Sequence, residues 1–174
     1  MLQELKRSIR DIPDFPKPGI VFRDLGPVLS DSKLCNFIVN ALCEKISDHK
    51  IDAIAGIESR GFLFGMSMAQ ELGVGFIPVR KKGKLPGETF GVAYQLEYGS
   101  ADLEIQKEAI SEGMRIHIHD DLIATGGSAD AASKLVHLGG GKIASFSFVI
   151  ELLDLNGRNL ISSHGQLIES LIEY

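Results

Sequence analysis

Short apolar runs with strand character alternate with helix-like segments along most of the chain, and this alternation limits the fold more than any other feature. The strand-like runs cover 53–57, 75–79, 115–119 and 143–152. The helix-like ones cover about 61–72 and 127–138, the second stopped by Gly139 to Gly141. Strand–helix–strand repetition returns the chain in the same direction each time, so the expected class is α/β, with a mainly parallel twisted sheet flanked by helices. Ahead of it, Leu34, Phe37, Ile38, Ala41, Leu42 and Ile46 form one stripe of a helix that Ser30 or Asp31 can cap. Leu2, Leu5 and Ile9 mark a short first helix, and the three prolines between Asp11 and Gly19 predict a stiff, extended connector after it. No internal repeat is present. At 174 residues and 44% hydrophobic, the chain suits one domain spanning 1–174.

The net charge of −5 argues against broad nucleic-acid binding, which needs a basic footprint. Basic residues are nevertheless concentrated at Arg80, Lys81, Lys82 and Lys84; without these four, 14 positive side chains face 23 negative ones. That contrast predicts a local anion site. Cys35 and Cys43 are eight residues apart in a helical stretch, about 12 Å along its axis, too far for a disulfide. With no signal-like segment and no apolar run near 20 residues, the expectation is a cytoplasmic protein without a membrane span.

The chemistry is concentrated in Met114 to Ser128, where two carboxylates at a strand end precede the turn Ala124-Thr-Gly-Gly-Ser128 and a helix. Backbone N–H groups of such a turn, the helix N-terminus and the hydroxyls of Thr125 and Ser128 can converge on a phosphate. Asp120 and Asp121 repel that anion; they suit sugar hydroxyls or a hydrated Mg²⁺ nearby. The chain lacks G-x-x-x-x-G-K-[ST] and has no G-x-G-x-x-G after a strand, which removes the kinase and dinucleotide readings. In sheets of this class ligands bind beyond the carboxyl ends of the strands, after Ile57, Val79 and His119.

Asp120 to Ser128 resembles the phosphoribosyl pyrophosphate signature of type I phosphoribosyltransferases. Four further segments resemble the adenine-using members of that family in the same order: Asp14-Phe-Pro-Lys-Pro-Gly-Ile-Val-Phe-Arg-Asp24, Gly56-Ile-Glu-Ser-Arg-Gly-Phe62, Val79-Arg-Lys-Lys-Gly-Lys-Leu-Pro-Gly87 and Leu96-Glu-Tyr-Gly99. The resemblance implies the family fold, with a small hood over about 1–30, a core over about 31–174 and a flexible lid loop over about 80–98. It implies a pentosyl transfer from phosphoribosyl pyrophosphate to adenine, giving AMP and pyrophosphate, by a homodimer. Asp120 and Asp121 would take the ribose hydroxyls, and Ala124, Thr125, Gly126, Gly127 and Ser128 the 5-phosphate. Glu58, Ser59 and Arg60 would form the pyrophosphate turn, with a cis peptide between Glu58 and Ser59. Arg60 would be the charge that grips phosphate oxygens and counts among the catalytic residues. Val21, Phe22 and Arg23 would contact adenine; Arg80, Lys81 and Lys84 would open the lid. Glu97 and Tyr98 would close it and join Arg60 as catalytic residues, with Glu97 as the proton handler. Mg²⁺ would be bound mainly through phosphoribosyl pyrophosphate, without dedicated protein ligands.

The chain departs from the family pattern in three places. Ser128 stands where threonine is more usual and keeps the hydroxyl; Gly26 replaces a hydroxyl residue; and the strand before the acid pair reads Ile116-His-Ile-His119 rather than aliphatic. His117 and His119 share a strand face, a spacing open to a metal, but no third ligand is evident and a hydrogen-bonded pair beneath the site is the plainer expectation. Phe62 and Phe64 are read as core. Uracil-using relatives generally carry Asp-Pro at the acid pair, and 6-oxopurine-using ones an acid at the position of Ala124, so both fit less well. A non-catalytic sensor of phosphoribosyl pyrophosphate would normally carry a DNA-binding domain, for which the chain has no room.

Overall fold

The structure is a computed structural model that describes residues 1–95, 100–164 and 167–174. Its centre is a seven-stranded sheet in the order β5-β6-β4-β3-β7-β8-β9. β3 (Ala53–Ile57), β4 (Gly75–Lys81), β7 (Arg115–Ile123), β8 (Lys142–Glu151) and β9 (Leu167–Glu173) run parallel. β5 (Thr89–Gln95) and β6 (Ser100–Gln106) form an antiparallel pair joined to β4 through Arg80↔Glu104 and Lys81↔Leu103. The described part of the segment expected to be a lid loop is therefore largely edge strand. Phe90, Val92 and Tyr94 alternate along β5 and pack on the core, which favours strand over loop. Residues 96–99, including Glu97 and Tyr98, lie outside the described residues.

One sheet face is covered by α5 (Gly127–Leu138), which buries Ala129, Ala132, Leu135 and Val136 with Ile116, Ile118, Phe146 and Phe148. The other is covered by α3 (Ser32–Ile46) and α4 (Gly61–Leu72), which bury Leu34, Ile38, Leu42, Phe64 and Met68 against Ile54 and Val149. Asp31 is the cap of α3; its carboxylate accepts from the N–H groups of Lys33 and Leu34. Phe64 is core, as expected, and Phe62 sits edge-on to Phe76. Both cysteines are free thiols.

The proline-rich connector is more ordered than an extended linker. After α1 (Leu2–Ser8), β1 (Arg10–Pro13) pairs antiparallel with β2 (Val21–Asp24), followed by α2 (Gly26–Leu29). Opposed residues in this small hood carry opposite charges: Arg10 pairs with Asp24 at 2.6 Å, and Arg23 pairs with Asp11.

Beneath the α3/α4 side lie the two histidines, both fully buried and hydrogen-bonded as the plainer reading expects. His117 Nδ1 is 2.7 Å from Ser145 Oγ, its Nε2 is 2.7 Å from Ser147 Oγ, and His119 Nδ1 is 2.8 Å from the same hydroxyl. Burial holds both rings neutral, pushing His117 well below its ordinary value and His119 down to about 4. The unfolded chain takes up these protons from about pH 6.5 downward while the folded chain does not, so stability is full above that pH and falls towards pH 4. The loss from His119 alone is about 3 kcal/mol. Chemical denaturation of His119→Gln is expected to give a shallower decline between pH 6.5 and 4 than the wild type. Parallel declines would show that His119 is not a neutral buried group.

Candidate active site

The carboxyl ends of β3 and β7 open into one cleft of about 490 Å³, lined by Ile57 to Arg60, Lys81, Tyr94, Asp120 to Leu122 and Ala124 to Ser128. The turns after β3 and β7 thus meet where the sheet topology predicts. β7 continues through the acid pair to Ile123, because Leu122↔Ile150 and Ile123↔Glu151 extend its pairing with β8. Asp120 and Asp121 are consequently strand residues rather than turn residues, fixed by a backbone with little freedom.

Burial and then the neighbouring Asp121 charge push Asp120 well above the usual carboxyl range. Asp121 is also raised by burial, against the opposing pull of Arg60, whose Nε is 2.8 Å from Asp121 Oδ2. Two adjacent acids, Asp121 buried and Asp120 half-buried, are unfavourable unless a ligand or a cation meets them. Arg60 supplies part of that compensation. It stands at the head of α4, and Gly61 lets the helix approach β7 closely: a Cβ there would lie 2.7 Å from the His119 carbonyl oxygen.

The turn from Ala124 to Ser128, expected to take a phosphate, is equally constrained. Gly126 caps α5 at φ +82°, without a side-chain cap, so N–H groups of the first helical turn face the cleft unpaired within the helix. Gly157, the first residue of α6 (Gly157–Ile161), presses on the turn from behind. A Cβ on Gly157 would meet the Ala124 carbonyl oxygen at 2.2 Å, and one on Gly126 would meet the Gly157 carbonyl oxygen at 2.5 Å. Arg158 anchors this brace by donating to both oxygens of Glu151 at 2.8 and 2.5 Å and to the Ile168 carbonyl. Gly157→Ala must therefore displace the turn. Its expected effect is at least a tenfold rise in the KM for the phosphorylated substrate with a smaller change in kcat, and steady-state kinetics on the folded variant will read it. An unchanged KM would free the turn from this contact.

The basic residues expected to open the lid converge on Glu58 instead of standing free. Lys84 Nζ lies 2.5 Å from Glu58 Oε1, Arg80 Nε 3.4 Å from Oε2, and the Lys81 N–H donates to Oε2 at 2.8 Å. Burial pushes Glu58 upward, but the Lys84 hydrogen bond, the Lys81 N–H and the two positive charges outweigh it and hold the carboxyl below its ordinary range. The Glu58–Ser59 peptide is cis, as the resemblance implies.

Val21, Phe22 and Arg23 form β2 of the hood and do not line the cleft. Phe22 reaches it indirectly, with its ring 5.2 Å from the Arg60 guanidinium carbon. The Arg23 side chain is engaged elsewhere, stacked 3.7 Å over the Tyr174 ring and paired with Asp11. Sequence reasoning missed Tyr94, whose hydroxyl is raised by burial and by Asp120, and the Gly157–Arg158–Glu151 brace. The strand alternation of residues 89–95 could have indicated Tyr94; the brace depends on contacts remote in sequence. The described residues include no cluster of three or more metal-ligating side chains.

The chain is similar to known proteins over nearly its whole length. Residues 29–153 match the family described as phosphoribosyl transferase domain. The adenine phosphoribosyltransferase of Cytophaga hutchinsonii is 48% identical over 99% of this chain and 95% of its own. The crystal structure of the adenine phosphoribosyltransferase from Thermoanaerobacter pseudethanolicus is 50% identical, covers 100% of both chains and superposes with a TM-score of 0.96. The Saccharomyces cerevisiae enzyme, solved with an imino-altritol bisphosphate and adenine, is 46% identical over 98% of this chain and 97% of its own, with a TM-score of 0.89. A chain about half identical to such enzymes from end to end, with two acids and a glycine-capped turn lining one cleft, belongs to the adenine phosphoribosyltransferase family.

Proposed function

We infer that the protein transfers the 5-phosphoribosyl group of phosphoribosyl pyrophosphate to adenine, giving AMP and pyrophosphate. The observation that carries this reading is the acid pair, half-buried Asp120 and buried Asp121, with Asp121 charge-matched by Arg60 and both held on a strand beside a glycine-capped turn. In this reading the turn from Ala124 to Ser128 takes the 5-phosphate, and Asp120 and Asp121 accept the ribose hydroxyls. The turn from Glu58 to Arg60 takes the pyrophosphate, with Arg80 and Lys84 held beside it by Glu58 and Lys81 lining the cleft. Glu58 itself acts as organiser of these cations, since a carboxylate repels pyrophosphate. Backbone groups of Val21 and Arg23 read the purine edge, and Phe22 stacks between the base and Arg60.

The bond from the anomeric carbon to pyrophosphate oxygen breaks, and its electron pair leaves with the pyrophosphate. Positive charge develops on the ribose as the adenine N9 lone pair forms the new bond, and the N9 proton passes to the Glu97 carboxylate. A Mg²⁺ carried by the pyrophosphate would supply charge neutralisation for the leaving group, and Asp120 and Asp121 would suit a hydrated ion alongside. Two free thiols suit a reducing compartment, the cytoplasm. A homodimer accompanies the reading: Leu29, Leu63 and Met66 are 41–47% exposed along α2 and α4, an apolar face that a second copy would cover. Light scattering of Leu63→Glu is expected to give a monomer where the wild type gives a dimer; a dimer in both would move the interface elsewhere. The activity itself is tested by following AMP and pyrophosphate from adenine, phosphoribosyl pyrophosphate and Mg²⁺. Equimolar release of both supports the reading, and their absence from folded protein overturns it.

A further inference from the structure

The opposite end of the sheet holds a second charged cavity that the transfer reaction does not use. It has a volume of about 390 Å³ and is lined by His49, Lys50, Arg115, His137, Lys142 and His164 over a floor of Ile143 and Ala144. Arg115 and Lys142 are the first residues of β7 and β8, while His49 and Lys50 precede β3, so the cavity sits at the amino ends of the parallel strands. Six residues of β7 separate Arg115 from Asp121, about 20 Å at the usual strand rise. No carboxylate lines this cavity, although acids outnumber bases in the chain as a whole.

Nearby acids hold two of the bases in place. The Arg115 N–H donates to Asp52 Oδ2 at 2.8 Å and its Nε lies 3.6 Å from the same oxygen. His164 Nε2 is 3.2 Å from Asp130 Oδ1, an acid also paired with Lys134. Lys50 and Lys142 have no ion-pair partner among the described residues. The His137 and His164 rings lie 5.6 Å apart on the same wall. Placing the charges of Lys50, Arg115 and Lys142 around one concave surface, with only Arg115 paired to an acid, is electrostatically unfavourable unless an anion joins them. The planar Arg115 fork and the two ammonium groups match the oxygens of linked phosphates better than a single carboxylate.

We propose that this cavity is a second anion site, separate from the catalytic cleft, for a small molecule carrying two or more linked phosphates. The ligand is a nucleoside polyphosphate or an inorganic polyphosphate chain, which present the same phosphate chemistry to the six bases. The inference does not depend on the transfer reaction assigned to the cleft.

Isothermal titration of the full chain with inorganic tripolyphosphate at about 0.15 M salt tests the proposal. Any polyphosphate held by the catalytic cleft is common to wild type and variant, so the readout is the difference between them. Lys50→Ala/Lys142→Ala is expected to bind one equivalent fewer per chain than the wild type. Both replaced side chains are exposed and remote from the cleft, so the thermal midpoint, kcat and KM values should be unchanged. Equal stoichiometry in the two proteins overturns the proposal, as does the absence of any extra equivalent in the wild type at this ionic strength. Where the extra equivalent is present, ATP binding there more tightly than tripolyphosphate identifies a nucleotide ligand, and equal binding identifies the inorganic chain.

Discussion

Glu97→Gln is expected to slow AMP formation by about 10²–10⁴-fold while leaving the affinity for phosphoribosyl pyrophosphate nearly unchanged. Adenine must lose the N9 proton as it attacks, and the chain offers few acceptors. The position that carries an acid in 6-oxopurine-using relatives is Ala124 here, and Asp120 and Asp121 are assigned to the ribose with Arg60 against them. Glu97 follows β5, whose Tyr94 already lines the cleft within the influence of Asp120. Glutamine keeps the shape of the side chain and removes the proton acceptor. Single-turnover AMP formation, with direct binding of phosphoribosyl pyrophosphate to the same variant, separates chemistry from affinity. A wild-type chemical step in the variant would assign the proton to another route, such as water.

The second large effect is expected at the acid pair. Asp120→Asn and Asp121→Asn each exchange a charge-assisted acceptor for a neutral amide, a loss of about 1.5–3 kcal/mol, which is roughly a 10–150-fold rise in the KM for phosphoribosyl pyrophosphate. Asp121→Asn should be the more damaging, because it also removes the charge that aligns Arg60 at 2.8 Å. Stability is expected to move the other way. Burial raises both carboxyls, so the charged pair is a liability in the empty cleft, and thermal midpoints of the variants should equal or exceed that of the wild type. Lower midpoints with unchanged KM would make the pair structural.

Most of the central sheet was legible in the sequence because its strands are short apolar runs and its helices carry clear stripes. The elements that escaped are those whose local signal is ambiguous. In β9 the apolar residues Leu167, Ile168, Leu171 and Ile172 also fit a helical period, and only pairing with β8 decides for strand. The hood hairpin is hidden by its prolines; Pro13 is tolerated because it ends β1 on a two-stranded sheet. At the site, the acid pair and phosphate turn announce themselves as a contiguous motif. The capture of Arg80 and Lys84 by Glu58 and the pressure of Gly157 on Ala124 do not, because each joins residues that only the folded sheet brings together.

The central claim is that the cleft couples phosphoribosyl pyrophosphate to adenine in preference to other bases. A competition in which the purified protein, Mg²⁺ and limiting phosphoribosyl pyrophosphate meet an equimolar mixture of adenine, hypoxanthine, guanine and uracil tests it most directly. AMP is expected to dominate the nucleotide products, with pyrophosphate released in equal amount. A mixture in which the nucleotide of hypoxanthine, guanine or uracil equals or exceeds AMP would contradict it.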